Sequence, residues 1–210
     1  MKPNASHPLR NALREFYDKT ALDREAGTVA DWKIEVRANF LTLLQKEQKR
    51  TLLEVGAGVG RDSLFFRENG LEVACIDLSP AMVALCRQKG LDAQVMDVAG
   101  LDFPDESFDA IYSMNSLLHL PKTEFPGALA QIRRVLKPGG LFFLGVYGGD
   151  DHEGIREEDY AEPKRFFSSF SDEHIQREAA RVFDILSFRA IDCDCGASLH
   201  FQALILKKEI

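Results

Sequence analysis

The sequence predicts an α/β domain: a mostly parallel sheet with helices on both faces. Three observations lead there. Thr51-Leu52-Leu53-Glu54-Val55 is a short apolar run that suits a buried parallel strand, and it turns through Gly56-Ala57-Gly58-Val59-Gly60 into a helical stretch from Ser63 to Arg67. Short apolar runs then alternate with helical patterns along the chain, which is the signature of βα units. The next run, Glu72 to Ile76, ends in Asp77, about 20 residues past the first glycine, where nucleotide-binding sheets place a ribose-binding acid.

The elements follow in order. Leu9, Leu13, Phe16 and Tyr17 recur at helical spacing over residues 8–20, with Pro8 suited to a first helical turn. A polar stretch then runs to Gly27. Thr28-Val29-Ala30-Asp31 has the form of a capping box opening a second helix, with Trp32, Val36, Phe40 and Leu43/Leu44 as its apolar stripe. These helices, residues 1–50, form a cap on the same domain as residues 51–210. They are either plain packing or a lid that places Tyr17 over a ligand. After Asp77, Ser79-Pro80 starts a helix that ends at Gly90, with Met82, Val83, Leu85 and Cys86 as apolar members.

Ala93 to Met96 is a third strand, ending at Asp97-Val98. A carboxylate there can accept from an amino group of a base. Phe108 to Tyr112 is the fourth strand, followed by Ser113 and the Leu117-Leu118-His119-Leu120 run. That segment falls at the carboxyl end of a central strand, where open α/β sheets bind ligands. Phe125 to Leu136 is a helix that Lys137-Pro138-Gly139-Gly140 closes with a turn, and Leu141 to Val146 is the fifth strand. A long polar loop, Tyr147 to Lys164, carries acids and leads to Arg165-Phe166-Phe167. Ser171-Asp172-Glu173 caps a last helix. Phe183 to Ile191 and Leu199 to Lys207 read as an antiparallel pair.

Composition narrows the function. With 45% hydrophobic residues in 210, the chain can bury one core. A formal net charge of -7 and the lack of a Lys/Arg stripe argue against nucleic acid as partner. No signal peptide and no membrane span are expected. Cys75 and Cys86 sit in apolar patterns. Cys193 and Cys195 lack a second Cys/His pair for zinc, so no metal is expected and a reduced, cytoplasmic setting fits.

A dinucleotide fingerprint, Gly-x-Gly-x-x-Gly, would need glycine at position 61, where Arg61 stands, and the glycine is Gly60 instead. The pattern Glu54-Val55-Gly56-Ala57-Gly58-Val59-Gly60, with Asp77, Asp97-Val98, Phe108-Asp109, Leu118-His119-Leu120-Pro121 and Leu136-Lys137-Pro138-Gly139-Gly140, resembles the class I S-adenosylmethionine-dependent methyltransferases over roughly residues 50–207. The resemblance implies a Rossmann-like seven-stranded sheet with its last strand antiparallel. It implies S-adenosyl-L-methionine as cofactor, with Asp77 on the ribose hydroxyls, the Asp97-Val98 corner on adenine, and backbone near Gly56 and Ser113 on the methionine part. Glu54, Gly58, Gly60, Leu78, Met82 and Tyr17 complete the cofactor-binding set on the same ground.

Methyl transfer is an in-line displacement, so positioning the nucleophile supplies much of the rate. A base is needed only when the acceptor starts protonated. His119 is the candidate catalytic residue, and its plain alternative is a structural histidine in an apolar run. Arg165 and its aromatic neighbours suit a small, partly apolar acceptor with a carboxylate or phenolate. Ser113-Met114-Asn115-Ser116 lacks the motif of base-amino methyltransferases, and the carboxylates of aminopropyltransferases are missing there too. The expected function is methyl transfer to an oxygen, nitrogen or sulfur of a small molecule. The alternatives are a non-catalytic cofactor-binding regulatory or partner protein, or a protein or RNA methyltransferase.

Overall fold

The computed structural model describes residues 8–155, 159, 161–193 and 199–210. Two helices, α1 (Pro8–Ala26) and α2 (Asp31–Lys46), precede the sheet. The alternating part runs β1 (Thr51–Val55), α3 (Arg61–Glu68), β2 (Glu72–Asp77), α4 (Pro80–Gln88), β3 (Asp92–Val95), β4 (Phe108–Met114), α5 (Phe125–Val135) and β5 (Leu136–Gly148). The chain ends through a hairpin, β6 (His152–Ile155) and β7 (Phe166–Ser169), then α6 (Asp172–Ala179), β8 (Asp184–Ile191) and β9 (His200–Lys207).

The main sheet has seven strands in the order β3-β2-β1-β4-β5-β9-β8. β1 pairs in parallel with β2 and with β4, and β4 pairs in parallel with β5. β9 lies antiparallel between β5 and β8. Strand order reverses at β1, so the crevice between the carboxyl ends of β1 and β4 is the switch point of the sheet.

Strand periodicity divides the core. Leu141 and Phe143 of β5 face a cluster with Val36, Phe40 and Leu44 of α2 and Phe66 of α3. Phe142, Leu144 and Val146 face the opposite cluster, with Phe125, Leu129 and Ile132 of α5 and Ile175 of α6. Tyr112 stacks on Phe143 with centroids 4.8 Å apart, and Phe40 and Phe66 close around the pair at 5.9 and 5.0 Å from the Tyr112 ring. Burial on both sides explains why the central strands read as continuous apolar runs.

Four local expectations are corrected. The polar stretch after Tyr17 is helical, because α1 continues to Ala26. Thr28 does not cap α2: the N-cap is Ala30 and has no side-chain bond. Leu136 to Gly140 is the irregular start of β5 rather than a separate turn, as Phe108 pairs with Leu136 before the register shifts to Ala110 with Leu141. Within the long loop after β5, His152–Ile155 form β6, which pairs antiparallel with β7 beyond the loop. Its acids Glu157 and Glu158 lie outside the described residues, as does Cys195. Cys75 and Cys86 are buried free thiols, whereas Cys193 is disulfide-bonded, so cysteine usage does not argue for a reducing compartment. Among the described residues no helix is long and apolar enough to cross a membrane.

Candidate functional site

The glycine turn sits at the switch point. Gly56 and Ala57 both donate their N–H to the Ile76 carbonyl, at 2.9 and 3.0 Å, which folds the turn over the end of β2. The three glycines have positive φ of 77°, 54° and 79°, and each has its own neighbour. A Cβ at Gly56 would come within 2.1 Å of Ser116 Oγ. One at Gly58 would meet nothing within 4 Å and would take up space in a cavity of about 620 Å³ that Gly58 lines. One at Gly60 would press on Cys86 Sγ and Leu91 Cδ1 at 2.7 Å, so Gly60 packs α3 onto α4 and does not border the cavity.

Asp77 ends β2 beside that turn. Its Oδ2 accepts from Gly58 N–H at 2.8 Å and its Oδ1 from Ser79 N–H at 2.9 Å. Each oxygen keeps a lone pair, so the carboxylate is held in place and still open to a diol. Burial raises its pKa, and the two N–H donors oppose that rise. Leu78 lines both the large cavity and a smaller one of about 70 Å³, and Met82, fully buried, lines the large one. Asp97 and Val98 line the small cavity with Met96. Arg10 of α1 reaches over this corner and ion-pairs with both Asp97 and Glu124.

Tyr17 and His119 meet across the cavity mouth. Tyr17 Oη lies 2.8 Å from His119 Nε2, and His119 Nδ1 lies 2.9 Å from the Phe166 carbonyl oxygen. A carbonyl only accepts, so Nδ1 carries the proton, and Nε2 accepts from the Tyr17 hydroxyl. Burial, with the charges of Arg165 and Arg24, lowers the His119 pKa to about 4 against the effect of the Phe166 carbonyl. His119 is therefore neutral at neutral pH, and its basic nitrogen faces Tyr17 rather than open space. Burial also raises the Tyr17 pKa, against the Arg24 and Arg165 charges. Sequence reasoning singled out both residues without seeing that they bond to each other.

Other expected positions shift. Arg165 is not a free anchor: it pairs with Asp159 at 2.7 Å and stacks over Phe16 and Phe167 at 4.5 and 5.0 Å. Ser113 is fully buried and borders neither cavity, because β4 continues to Met114 and so the rim is formed by Asn115 and Ser116. Asn115 has a left-handed φ of 56°, and its Oδ1 has no hydrogen-bond partner among the described residues. Glu54 lines the large cavity, where it accepts a bond from Ser63 Oγ. Burial and then Asp62 raise its pKa well above the usual carboxylate range.

A bidentate acid at a strand end, a glycine turn that a Cβ would fill and an acid-lined small pocket fit the ribose, amino-acid and adenine parts of an adenosyl cofactor. With the order β3-β2-β1-β4-β5-β9-β8 and its antiparallel β9, they define a class I S-adenosylmethionine-dependent methyltransferase fold. Residues 53–144 match the family model described as a methyltransferase domain. It is 32% identical over 128 residues to a phosphoethanolamine N-methyltransferase of Triticum aestivum, a match covering 58% of this chain and 25% of that enzyme. The chain thus spans about a quarter of the length of that relative. Among solved structures, the 1,6-didemethyltoxoflavin-N1-methyltransferase of Burkholderia thailandensis superposes with a TM-score of 0.74 at 22% identity, over 100% of this chain and 93% of that one. The cyclase SpnF superposes with a TM-score of 0.73 at 20% identity, over 97% of each chain. Neighbours with such different names share a fold, so the reaction has to be argued from the site.

Proposed function

We propose that this chain is an S-adenosyl-L-methionine-dependent methyltransferase acting on a small molecule. The observation that carries this reading is the Asp77 carboxylate, clamped by Gly58 and Ser79 N–H at 2.8 and 2.9 Å on the wall of the cavity that the glycine turn lines. That arrangement suits the two vicinal hydroxyls of a ribose.

When bound, the cofactor supplies a methyl group on a sulfonium leaving group. The protein's part is placement. Leu78 and Val98 would flank the base, and Asp97, which also pairs with Arg10, would accept from its amino group. Asp77 would hold the ribose hydroxyls, and the glycine turn would leave room for the rest of the cofactor. Helix α1 covers the mouth and keeps out water, while residues 1–50 serve as a cap of the same domain as 51–210. An acceptor group next to Tyr17 meets Tyr17 Oη, which His119 Nε2 orients by accepting the tyrosyl proton in a hydrogen bond. Burial, Arg165 and Arg24 keep His119 neutral, so the pair positions the acceptor and a proton it must lose leaves to solvent. Proximity then gives the larger share of the rate, roughly 7–11 kcal/mol in favourable cases.

The net charge of -7 favours a small acceptor over nucleic acid, and a cytoplasmic setting goes with that proposal. The test has two arms. Calorimetry with S-adenosylhomocysteine reads cofactor recognition, with micromolar affinity expected, about -8 kcal/mol. Labelled S-adenosylmethionine with a panel of small amines, phenols and carboxylic acids reads transfer. Binding without transfer to any candidate would favour the non-catalytic alternative. No binding of either compound would remove the reading altogether.

A further inference from the structure

Helix α1 carries a cation, Arg24, that forms no ion pair among the described residues. Arg24, in its last turn, lines the large cavity with Tyr17, Gly56 and His119. Its guanidinium carbon lies 4.7 Å from the Tyr17 ring centroid and 5.7 Å from that of Phe16. Its Nε is buried and has no hydrogen-bond partner among the described residues. A buried N–H without an acceptor is destabilising, and a guanidinium stacked on a ring keeps its in-plane N–H fork free.

Four acids line the same cavity: Asp23, which forms no ion pair with Arg24, and three that are already engaged. Asp62 pairs with Arg37 at 2.8 Å, Asp77 accepts two backbone N–H groups, and Glu54 accepts from Ser63. Arg165, the other guanidinium near Tyr17, pairs with Asp159.

The main chain beneath Arg24 is fixed by a second arginine. Arg61 Nη2 donates to the carbonyls of Arg24, Glu25 and Gly27 at 2.7, 2.8 and 2.5 Å. Those are carbonyls at the carboxyl end of α1, where a cation is favoured by the helix dipole. Arg61 occupies the place where a dinucleotide motif would need its third glycine. Here it ties α1 to the glycine turn and sets Arg24 above the cavity.

We propose that Arg24 is the oxyanion anchor of this cavity: it takes a carboxylate or phosphate of the bound ligand in its N–H fork. The inference builds on the methyltransferase reading. Two sources share that chemistry, the amino-acid carboxylate of the cofactor and an acidic group on the acceptor. Bidentate pairing of guanidinium with either is strong and directional.

The full-length chain and its Arg24→Ala and Arg24→Lys variants distinguish these sources, with thermal melts to show that the variants fold. Calorimetry is run with S-adenosylhomocysteine and with 5′-methylthioadenosine, which has the same nucleoside and sulfur but no carboxylate. Protein saturated with S-adenosylhomocysteine is then titrated with inorganic phosphate and with benzoate. A loss of tenfold or more for S-adenosylhomocysteine in Arg24→Ala, with 5′-methylthioadenosine unchanged, assigns Arg24 to the cofactor carboxylate. Unchanged S-adenosylhomocysteine affinity, with phosphate or benzoate binding lost, assigns it to the acceptor. Lysine should recover only part of either, because it lacks the fork. Variant and wild type alike for all four compounds overturns the proposal. A wild type that binds neither nucleoside overturns the cofactor reading instead, and the two anion titrations, then run on the unliganded protein, still report on Arg24.

Discussion

At the scale of single residues, the site separates binding from packing among groups that look alike in the sequence. Asp77→Ala removes an acceptor poised for two hydroxyls and should weaken S-adenosylhomocysteine by at least ~1 kcal/mol in calorimetry. Gly58 and Gly60 both have positive φ, yet their surroundings differ. Gly60→Ala drives a Cβ against Cys86 and Leu91, so it should lower the melting temperature more than Gly58→Ala does. Gly58→Ala should show the reverse pattern, with ligand affinity hit harder than the fold. Equal effects of the two on both readouts would contradict this division. His119 gives a pH signature. Its folded pKa of about 4 lies below the ordinary value of 6.5, so the unfolded chain takes up the proton first. The stability it contributes is fully present above pH ~6.5 and is lost as pH falls toward 4, on the order of 3 kcal/mol in all. Denaturant unfolding of wild type and His119→Gln across that range isolates the effect. The gap between them should narrow on acidification, whereas a constant gap would mean that His119 titrates normally.

At the scale of elements, α1 is held by contacts along its whole length. Arg10 pairs with Asp97 and Glu124, and Tyr17 bonds His119. Asp18 accepts from Ser79 Oγ at 2.5 Å and Ala81 N–H at 3.0 Å, and Arg61 holds the last carbonyls. Hydrogen exchange should therefore find α1 protected even without ligand, and Arg61→Ala should speed exchange in its last turn first. Uniform exchange along α1 in both proteins would count against that anchoring. These contacts also mark what the sequence could reveal. Helical periodicity located α1 and placed Tyr17 on it, and strand-end spacing located Asp77 and Asp97. The partners of Arg10, Asp18 and Arg61 lie 34 or more residues away in the chain, and no local pattern encodes such pairs. Ser113 was misplaced because Ser113 and Met114 look like loop residues, and only pairing with Leu144 and Gly145 makes them strand. Arg165 looked free because Asp159, six residues before it, sat in a stretch read as plain loop.

At the scale of the whole molecule, ligand binding and folding stability are linked through one site. The glycine turn, Asp77 and α1 are ordered by contacts in the native fold, and an unfolded chain offers none of them to a ligand. A ligand that binds only the native state stabilises it by about 2.7 kcal/mol at a hundredfold excess over its dissociation constant. For a domain of this size each kcal/mol moves the melting temperature by roughly 2–4 °C. Saturating S-adenosylhomocysteine should therefore raise the melting temperature by roughly 5–10 °C. The same scan with a nicotinamide dinucleotide should give no shift, because Arg61 stands where the pyrophosphate motif would need a glycine. Asp77→Ala at the same ligand concentration should lose part of the shift, while Phe40→Ala should not. Phe40 packs against Phe66, Tyr112 and Phe143 on the α2 face of the sheet and borders neither cavity. Its truncation should cost about 3–5 kcal/mol of baseline stability and leave the ligand-induced increment in stability intact. A wild-type shift with the dinucleotide and none with S-adenosylhomocysteine would reverse the reading of the glycine turn.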